Sequence, residues 1–311
     1  MIQIPIHLSF TSKNIKKLLS AITIDTKLPR LIGGCVRDNI LNIKVNDLDI
    51  ATPLKPNEVI DLLKANNIRH YLIGVKFGTI KAIIENEVFE ITTLRQDVKC
   101  YGRYAEIKFS KDYLEDAKRR DFTINALSYC PKQKLLYDYF QGLEHLKEKK
   151  VIFIGKASER INEDALRILR FFRFSAHYAQ ELDKAGYKSC ANYAHHINIL
   201  SKERITQELN KIIIAPNAYK ILMKMAEINI FKYITPKLKL NLKTLEFITL
   251  NAKTLNITLS APVIYAILFS DNNIKNLEKE LFNMHFSNSS IREIIELKNF
   301  FIDVKVKILY F

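Results

Sequence analysis

The stretch "GGCVRDNILNIKVNDLDIA" (Gly33–Ala51) decides the fold class of the first half of this 311-residue chain. Two adjacent glycines follow the apolar segment "LPRLI", and helical spacing continues to an apolar run that contains Asp47 and Asp49. Residues i and i+2 of a strand project from the same face of a sheet. The pattern therefore predicts a strand, a glycine turn, a helix and a second strand that presents two neighbouring carboxylates.

This pair of carboxylates has a chemical consequence. Two carboxylates held side by side repel each other unless a cation lies between them, and Mg²⁺ is the usual cation. Gly33 and Gly34 allow the backbone to approach a ligand closely, and the helix after them directs its first amides, with Arg37, at a phosphate. A phosphate cradle beside metal-binding acids is typical of two-metal phosphoryl or nucleotidyl transfer. The alternative is a glycine turn followed by an exposed strand end with two acids.

Two later segments offer further candidates. Glu90, in "VFEITTL", is the best-placed third acid to act as a base toward an attacking hydroxyl, and an exposed strand glutamate explains it equally well. In "KRRDFTINAL", Arg119 and Arg120 suit a triphosphate, and Asp121 or Asn125 suits a ribose hydroxyl. Taken alone, that segment is better explained as a helix start capped by Asp121 with solvated arginines before it.

Composition limits the class of protein. Lys and Arg number 48 against 33 Asp and Glu, a net charge of +15, which indicates a polyanionic partner; a generally basic composition rich in Lys, Ile and Asn explains the charge equally well. The four cysteines form no CxxC motif, which argues against zinc and disulfides and for a reducing compartment. Without a signal peptide or an apolar run of roughly 18 residues, we expect a soluble cytoplasmic protein with no membrane partner.

The pattern of elements changes along the chain. The first 140 or so residues are mixed α/β, whereas from about residue 155 the chain is helical throughout. There, "SERINEDALRILRFFRFSAHYA" has a 3.6-residue apolar period, and "LSKERITQELNKIII" places Ser201 as an N-cap. The prediction is an α+β fold, in which a mixed-sheet head (1–140) is followed by a helical neck (141–200) and a helical body (201–311).

Four motifs occur in the order found in one known family. They are "GGCVRD…DLDIAT", "RRDFTINAL", "LYDYFQG" and "EDALRILRFFRF". Over residues 28–215 the chain resembles the class II tRNA nucleotidyltransferases, which comprise the CCA-adding enzymes and the bacterial poly(A) polymerases. The resemblance implies a nucleotidyltransferase-type head and template-independent addition of CCA to tRNA from CTP and ATP with Mg²⁺. The chain is short for the family, which implies a reduced C-terminal body for tRNA binding.

The resemblance also assigns roles to residues. It implies that Asp47 and Asp49 hold two Mg²⁺ ions, and that Asp138 and Gly142 lie in a hinge-like segment between head and neck. The positions implied to contact the incoming nucleotide are Gly34, Arg37, Arg119, Arg120, Asp121, Asp164, Arg167, Arg170 and Arg173.

The proposed base readers, Asp164 and Arg167, are spaced as neighbours on a helix surface. A carboxylate only accepts hydrogen bonds and a guanidinium only donates them. Cytosine and adenine both present an amino donor beside a ring acceptor, whereas guanine and uracil present a carbonyl beside an N–H. One Asp/Arg pair therefore accepts C and A and rejects G and U. The polar stretch 95–109, with Gly102, resembles the family's flexible loop, and its presence favours addition of all three nucleotides.

Two other functions stay open at this stage. A poly(A) polymerase or an enzyme that adds only the final A would carry nearly the same catalytic motifs. A non-catalytic RNA-binding module is the alternative from a different class, and the intact pair of Asp47 and Asp49 argues against it.

Overall fold

The computed structural model describes residues 2–5, 10, 12–45, 47–74, 78–101 and 104–309. The chain forms two compact units, Met1–Lys156 and Ala157–Phe311. The first unit thus extends to residue 156. The predicted boundaries at residues 140 and 200, between head, neck and body, stay predictions.

The first unit contains ten strands and five α-helices among the described residues. The strands are β1 (Ile2–Pro5), β2 (Arg30–Ile32), β3 (Leu48–Thr52), β4 (Arg69–Gly74), β5 (Thr79–Ile84), β6 (Glu87–Thr93), β7 (Arg95–Tyr101), β8 (Tyr104–Phe109), β9 (Ser128–Cys130) and β10 (Leu135–Asp138). The helices are α1 (Lys13–Ala21), α2 (Gly34–Ile40), α3 (Pro56–Ala65), α4 (Tyr113–Lys118) and α5 (Gly142–Lys147).

The second unit is helical throughout the part that is described, as predicted. Its helices are α6 (Ala157–Glu163), α7 (Leu166–Tyr178), α8 (Lys184–Asn192), α9 (Lys202–Ile213), α10 (Ala218–Glu227), α11 (Phe231–Ile234), α12 (Leu242–Thr254), α13 (Ala261–Leu268), α14 (Ile274–Asn283) and α15 (Asn288–Leu309). Ser201 caps α9, and its Oγ accepts from the Arg204 amide at 3.5 Å.

Eight of the described strands form one mixed sheet in the order β1-β10-β9-β2-β3-β6-β5-β4. Strands β3 and β6 are parallel, and the other described neighbours are antiparallel. The predicted α+β class is confirmed. The segment "TIKAIIENEVFEITTL" forms β5 and β6, and Glu85 has φ 54° in the turn between them.

One face of the sheet is buried and the other is open. On β5 and β6 the side chains of Ile80, Ala82 and Phe89 are at most 1% exposed, whereas their neighbours along the strands are half-buried or exposed. Helix α3 packs on β4 and β5 and buries Leu63 completely. This alternation gives the sheet an apolar face covered by helices and a polar face open to ligands.

The predicted helix in "SERINEDALRILRFF" is interrupted. Helix α6 ends at Glu163 and α7 begins at Leu166. The Oδ1 atom of Asp164 accepts from the Leu166 amide at 3.0 Å, and this competes with continuous helical bonding because a side-chain acceptor at that place starts a new helix. The sequence spacing predicted that Asp164 and Arg167 lie on one continuous helix. In the structure Asp164 instead lies in the break between α6 and α7, and Arg167 lies in α7.

The segment between β10 and α5 is tightly held. Strand β10 ends at Asp138. This buried carboxylate accepts backbone bonds from Phe140, Gly142 and Leu143 at 2.9–3.1 Å. A Cβ on Gly142 would lie 2.3 Å from the Thr123 carbonyl oxygen, so α5 packs directly on the one-turn helix Thr123–Asn125. Both residues of the predicted hinge belong to the first unit.

Candidate active site

The two aspartates of "DLD" lie at the start of β3, in the middle of the sheet. Asp47 directly precedes the strand, Asp49 lies within it, and both are exposed, whereas Ile50 is completely buried. In the parallel pairing of β3 with β6, Asp49 lies directly opposite Glu90. The structure therefore brings together all three acids proposed from the sequence on the open face.

The acids influence one another electrostatically. Surrounding protein atoms raise the pKa of the Asp49 carboxyl by limiting its hydration, and the charges of Glu90 and Asp47 raise it further. The Arg120 guanidinium acts in the opposite direction. An acid that resists ionisation beside other acids is a suitable ligand for a cation, because a bound positive charge removes the repulsion.

The number of carboxylates suits Mg²⁺. In the part of the chain that is described, no group of three or more His, Cys, Asp or Glu side chains is arranged to hold a metal ion unaided. Mg²⁺ is commonly held by one or two carboxylates, with waters and substrate phosphates completing its shell. The donor set of Asp47 and Asp49 fits that chemistry.

The buried thiol of Cys35 lies under the acids. Its Sγ donates to the carbonyl oxygen of Ile32 at 3.2 Å and lies 3.8 Å from that of Asp49. Burial raises the pKa of Cys35 to about 11. The thiol is therefore neutral at physiological pH and serves as packing rather than as a nucleophile.

The glycine turn places the arginine motif beside the acids. Gly33 has φ 69° and ψ −127°, a conformation that glycine adopts readily and other residues rarely do. A Cβ at Gly33 would lie 2.9 Å from Arg120 Nη1 and 3.6 Å from the Asn125 carbonyl oxygen. The "GG" and "RRD" motifs, far apart in sequence, are thus in direct contact, with Gly34 starting α2 next to them.

Arg37 lies inside the protein rather than on its surface. It is 5% exposed and donates to both carboxylate oxygens of Asp38, at 2.9 and 3.0 Å, and to Asn125 Oδ1 at 2.5 Å. Asn125 in turn donates to Asp121 Oδ1 at 3.0 Å. These residues form a buried polar network that fixes the turn after the arginines. The proposed nucleotide contacts of Arg37, Asp121 and Asn125 remain predictions.

Asp116 is a residue that the sequence analysis missed. It is 3% exposed and accepts from Arg119 at 2.8 Å and from Arg120 at 3.1 Å. Burial acts to raise its pKa, but the two guanidiniums outweigh burial and hold the pKa below its ordinary value. The i,i+3 and i,i+4 spacing in "DAKRR" is the sequence signal that could have found it. Asp116 orients both arginines and offsets their charge.

The second unit carries the proposed base readers. Asp164 Oδ2 accepts from Arg204 Nη2 at 2.7 Å. Arg167 donates to the Arg160 carbonyl oxygen at 2.9 Å and pairs with Glu163. These contacts fix both side chains at the junction of α6 and α7.

Arg170 and Arg173 follow on α7. Their guanidiniums lie 5.3 and 4.3 Å from the ring centre of Phe174, within the range of a cation–π interaction. Arg173 also pairs with Glu208 at 3.0 Å, and Glu208 is 5% exposed. Arg173 therefore connects α7 to α9, a structural role that the sequence did not indicate.

Within the stretch 95–109, the described residues 95–101 and 104–109 form β7 and β8, an antiparallel ribbon separate from the main sheet. The resemblance implied the family's flexible loop here, and Gly102 within that stretch lies outside the described residues.

Comparisons with known proteins follow the same division of the chain. Residues 29–152 match the family described as "Poly A polymerase head domain", and residues 181–242 match "Probable RNA and SrmB- binding site of polymerase A". A human relative, "CCA tRNA nucleotidyltransferase 1, mitochondrial", is 38% identical over 240 residues, which cover 75% of this chain and 54% of the relative. The "CCA-adding enzyme" of Bacillus cytotoxicus is 31% identical over 270 residues, which cover 85% of this chain and 65% of the relative. The chain spans about half to two thirds of the length of these curated relatives.

Solved structures agree in fold. The Bacillus stearothermophilus CCA-adding enzyme in complex with CTP has a TM-score of 0.76 at 23% identity and covers 94% of this chain and 71% of that one. The Thermotoga maritima CCA-adding enzyme complexed with tRNA has a TM-score of 0.71 at 22% identity, and the match covers 92% of this chain and 69% of that one.

Helices of the described ranges are all too short or too polar to span a bilayer. Two family matches lie in sequence order, relatives above 30% identity extend over most of the chain, and the "GG", "DLD" and "RRD" motifs lie together in the first unit. The chain therefore belongs to the family of class II CCA-adding enzymes and poly(A) polymerases.

Proposed function

We propose that this protein adds C, C and A to the 3′ end of tRNA, without a nucleic-acid template, from CTP and ATP. One observation carries the proposal. Asp47 and Asp49 present their carboxylates beside Glu90 on the open sheet face, with Arg120 close enough to act on Asp49 electrostatically. This is the set of charges needed to bind a metal-bound triphosphate beside an attacking hydroxyl.

Each candidate site residue of the first unit then has a role. Asp47 and Asp49 would hold the divalent ions, for which we propose Mg²⁺, and these ions supply charge stabilisation of the transferring phosphate. Glu90 accepts the proton of the tRNA 3′-hydroxyl. Arg119 and Arg120 bind the triphosphate in the orientation set by Asp116, and Gly33 leaves room for it.

We propose that Asp164 and Arg167 select the base. The carboxylate accepts from the amino group of cytosine or adenine and the guanidinium donates to the adjacent ring nitrogen. In the structure Asp164 pairs with Arg204, and Arg167 pairs with Glu163. Base binding therefore requires each side chain to add or exchange a contact. A site that leaves such groups unpaired with G or U discriminates by about 10⁴.

The basic helical unit is proposed to bind the tRNA through its phosphates. Cytoplasmic location is part of the same proposal, and the names of some vertebrate relatives include "mitochondrial". The head-family match to poly(A) polymerases makes that activity the second candidate.

The deciding experiment offers three tRNAs, which lack CCA, CA or the final A, together with each labelled nucleotide in turn. Completion of each tRNA to CCA supports the proposal, with Asp49→Ala as the inactive control. A long A tail would instead show a poly(A) polymerase, and reaction only with the CC-ended tRNA would show an A-adding enzyme. If tRNA binds without pyrophosphate release, the protein is a non-catalytic RNA-binding module.

A further inference from the structure

One row of side chains continues from the acids to the edge of the sheet. The strand register places Asp49 opposite Glu90, Glu90 opposite Lys81, and Lys81 opposite Tyr71. Residues directly opposite each other project from the same face. The row crosses β3, β6, β5 and β4, a width of about 14 Å at the ordinary strand spacing.

The far end of this row is an exposed aromatic group with an arginine beside it. Tyr71 is 44% exposed. The Arg69 guanidinium lies 5.3 Å from the centre of its ring and donates to its hydroxyl oxygen. An exposed aromatic ring supported by an arginine is a platform on which an unpaired base can stack.

Lys81 lies between this platform and the acids. It is half-buried on the open face, and it makes no hydrogen bond or ion pair with the residues that the structure describes. Its alternation with the buried Ile80 and Ala82 directs it toward the same side as Glu90. A cation at this position suits a phosphate that approaches the acids from the direction of β4.

The order of the strands separates the residues on the two sides of β3. Gly33 and Arg120, which we assign to the triphosphate, lie on the β2 side of β3, whereas Glu90 and Lys81 lie on its other side. In-line transfer at phosphorus needs the attacking and leaving oxygens on opposite sides. If pyrophosphate leaves toward β2, the attacking 3′-hydroxyl arrives over β6, and the RNA behind it lies over β5 and β4.

We infer that Lys81 and the Arg69–Tyr71 pair form the binding track for the single-stranded 3′ end of the RNA acceptor. Lys81 contacts a phosphate of the terminal nucleotides and Tyr71 stacks on one of their bases. The inference rests on the proposed function and adds to it the path of the acceptor strand. These residues bind RNA, and the incoming nucleotide lies on the other side of the acids.

The test compares Lys81→Gln and Tyr71→Ala with the conservative variants Lys81→Arg and Tyr71→Phe. Lys64→Gln is the matched control, since this exposed lysine lies on α3, which covers the opposite face of the sheet. Dissociation constants are measured with labelled tRNA that ends in CC and lacks only the final A, over a range of salt concentrations. Unfolding curves confirm that each variant is folded.

We expect Lys81→Gln to weaken tRNA binding about five- to tenfold, and to reduce the slope of log K against log salt by about 0.7, the value for one single-strand phosphate. Tyr71→Ala should weaken binding about tenfold with an unchanged slope, because stacking is not ionic. Lys81→Arg and Tyr71→Phe should bind the tRNA about as tightly as the unsubstituted protein. KM for CTP should stay within twofold in every variant.

A second RNA separates the track from general charge attraction. With a tRNA from which the unpaired 3′ nucleotides have been removed, the variants should bind like the unsubstituted protein. Equal effects on both tRNAs, equality of Lys81→Gln with Lys64→Gln, or a change in KM for CTP alone would each overturn the inference. Absence of CTP incorporation by the unsubstituted protein would instead refute the proposed function, and the binding comparison would still decide the track.

Discussion

Replacing Asp116 by Asn removes the charge that holds both arginines while keeping the shape of the side chain. Breaking a buried ion pair costs about 3–5 kcal/mol when the partner stays buried. Arg119 and Arg120 keep 19% and 18% of their side chains exposed, so water can replace part of the lost contact. We therefore expect a loss of about 1.5–3 kcal/mol in unfolding free energy, the range for a hydrogen bond to a charged group.

Activity should fall along with stability. Without the Asp116 charge, Arg119 and Arg120 lose the partner that holds them in position for the triphosphate. Since each 1.4 kcal/mol is a factor of ten, loss of one such positioned contact should lower kcat/KM for CTP about tenfold to a hundredfold.

The effect of Asp116 also depends on pH, with a definite sign. The two guanidiniums hold its pKa below the ordinary 3.8 in spite of burial. Its ionised form therefore stabilises the fold at pH values above the unfolded-state pKa, and this contribution is lost as the pH falls through the folded-state pKa. The gap in stability between the unsubstituted protein and Asp116→Asn should narrow toward acid pH.

The assays are urea unfolding at neutral and acid pH and steady-state incorporation of CTP into tRNA lacking CCA. Glu115→Gln is the matched control, because this carboxylate lies on the same helix but makes a partly exposed pair with Lys118, worth about 0–1 kcal/mol. If Asp116→Asn behaves like Glu115→Gln, Asp116 does not anchor the arginines. If stability falls but kcat/KM for CTP is unchanged, the arginines do not bind the triphosphate.

Three further predictions concern other parts of the site. Asp49→Asn should raise the melting temperature and abolish incorporation, since the raised pKa of Asp49 means that its ionised form destabilises the fold at neutral pH; a lower melting temperature would contradict this. Gly142→Ala should lower the unfolding free energy by about 3 kcal/mol or more, because its Cβ would meet the Thr123 carbonyl oxygen at 2.3 Å. Gly155→Ala, which has open space around the Cβ but φ 75°, should lose only about 1–2 kcal/mol. Equal losses in urea unfolding would refute the steric argument. Arg167→Ala should allow UTP and GTP to be incorporated, and continued exclusion in the labelled-nucleotide assay would refute base reading.

The elements of the open sheet face could be predicted from sequence because the signals are local. Alternation of apolar and polar residues gives β5 and β6, and the paired glycines give the turn before α2. The two-residue period of a strand alone predicts that Asp47 and Asp49 share one face of the sheet. The opposition of Asp49 and Glu90 could not be read in this way, since it depends on β6 pairing in parallel beside β3 after the chain has passed through α3, β4 and β5.

The features that the sequence did not predict, namely the burial of two acids and the break between α6 and α7, share a physical cause. Asp116 and Asp138 look like surface acids in the sequence, but each is buried by groups that satisfy it: two arginines for Asp116 and three backbone amides for Asp138. Asp164 looks like a member of a continuous amphipathic helix, yet its side chain bonds to the Leu166 amide. Hydrogen bonding of short polar side chains to nearby backbone competes with secondary structure and leaves no periodic signal.

The charges of the first unit explain why these buried groups matter for the site. The open face concentrates acids at β3 and β6, and Arg120 is the cation that acts on Asp49 from the β2 side. An unanchored Arg120 would be free to move onto the acids and occupy the position proposed for the metal ions. Asp116 prevents this by offering a buried carboxylate as a competing partner, at 3.1 Å, and Asn125 receives the other guanidinium nitrogen through its carbonyl oxygen at 3.3 Å. The acids consequently stay mutually repelled and available to cations, so at the proposed metal site the affinity for metal would depend on contacts made away from that site. Asp116→Asn should therefore weaken metal-dependent activation as well as CTP binding.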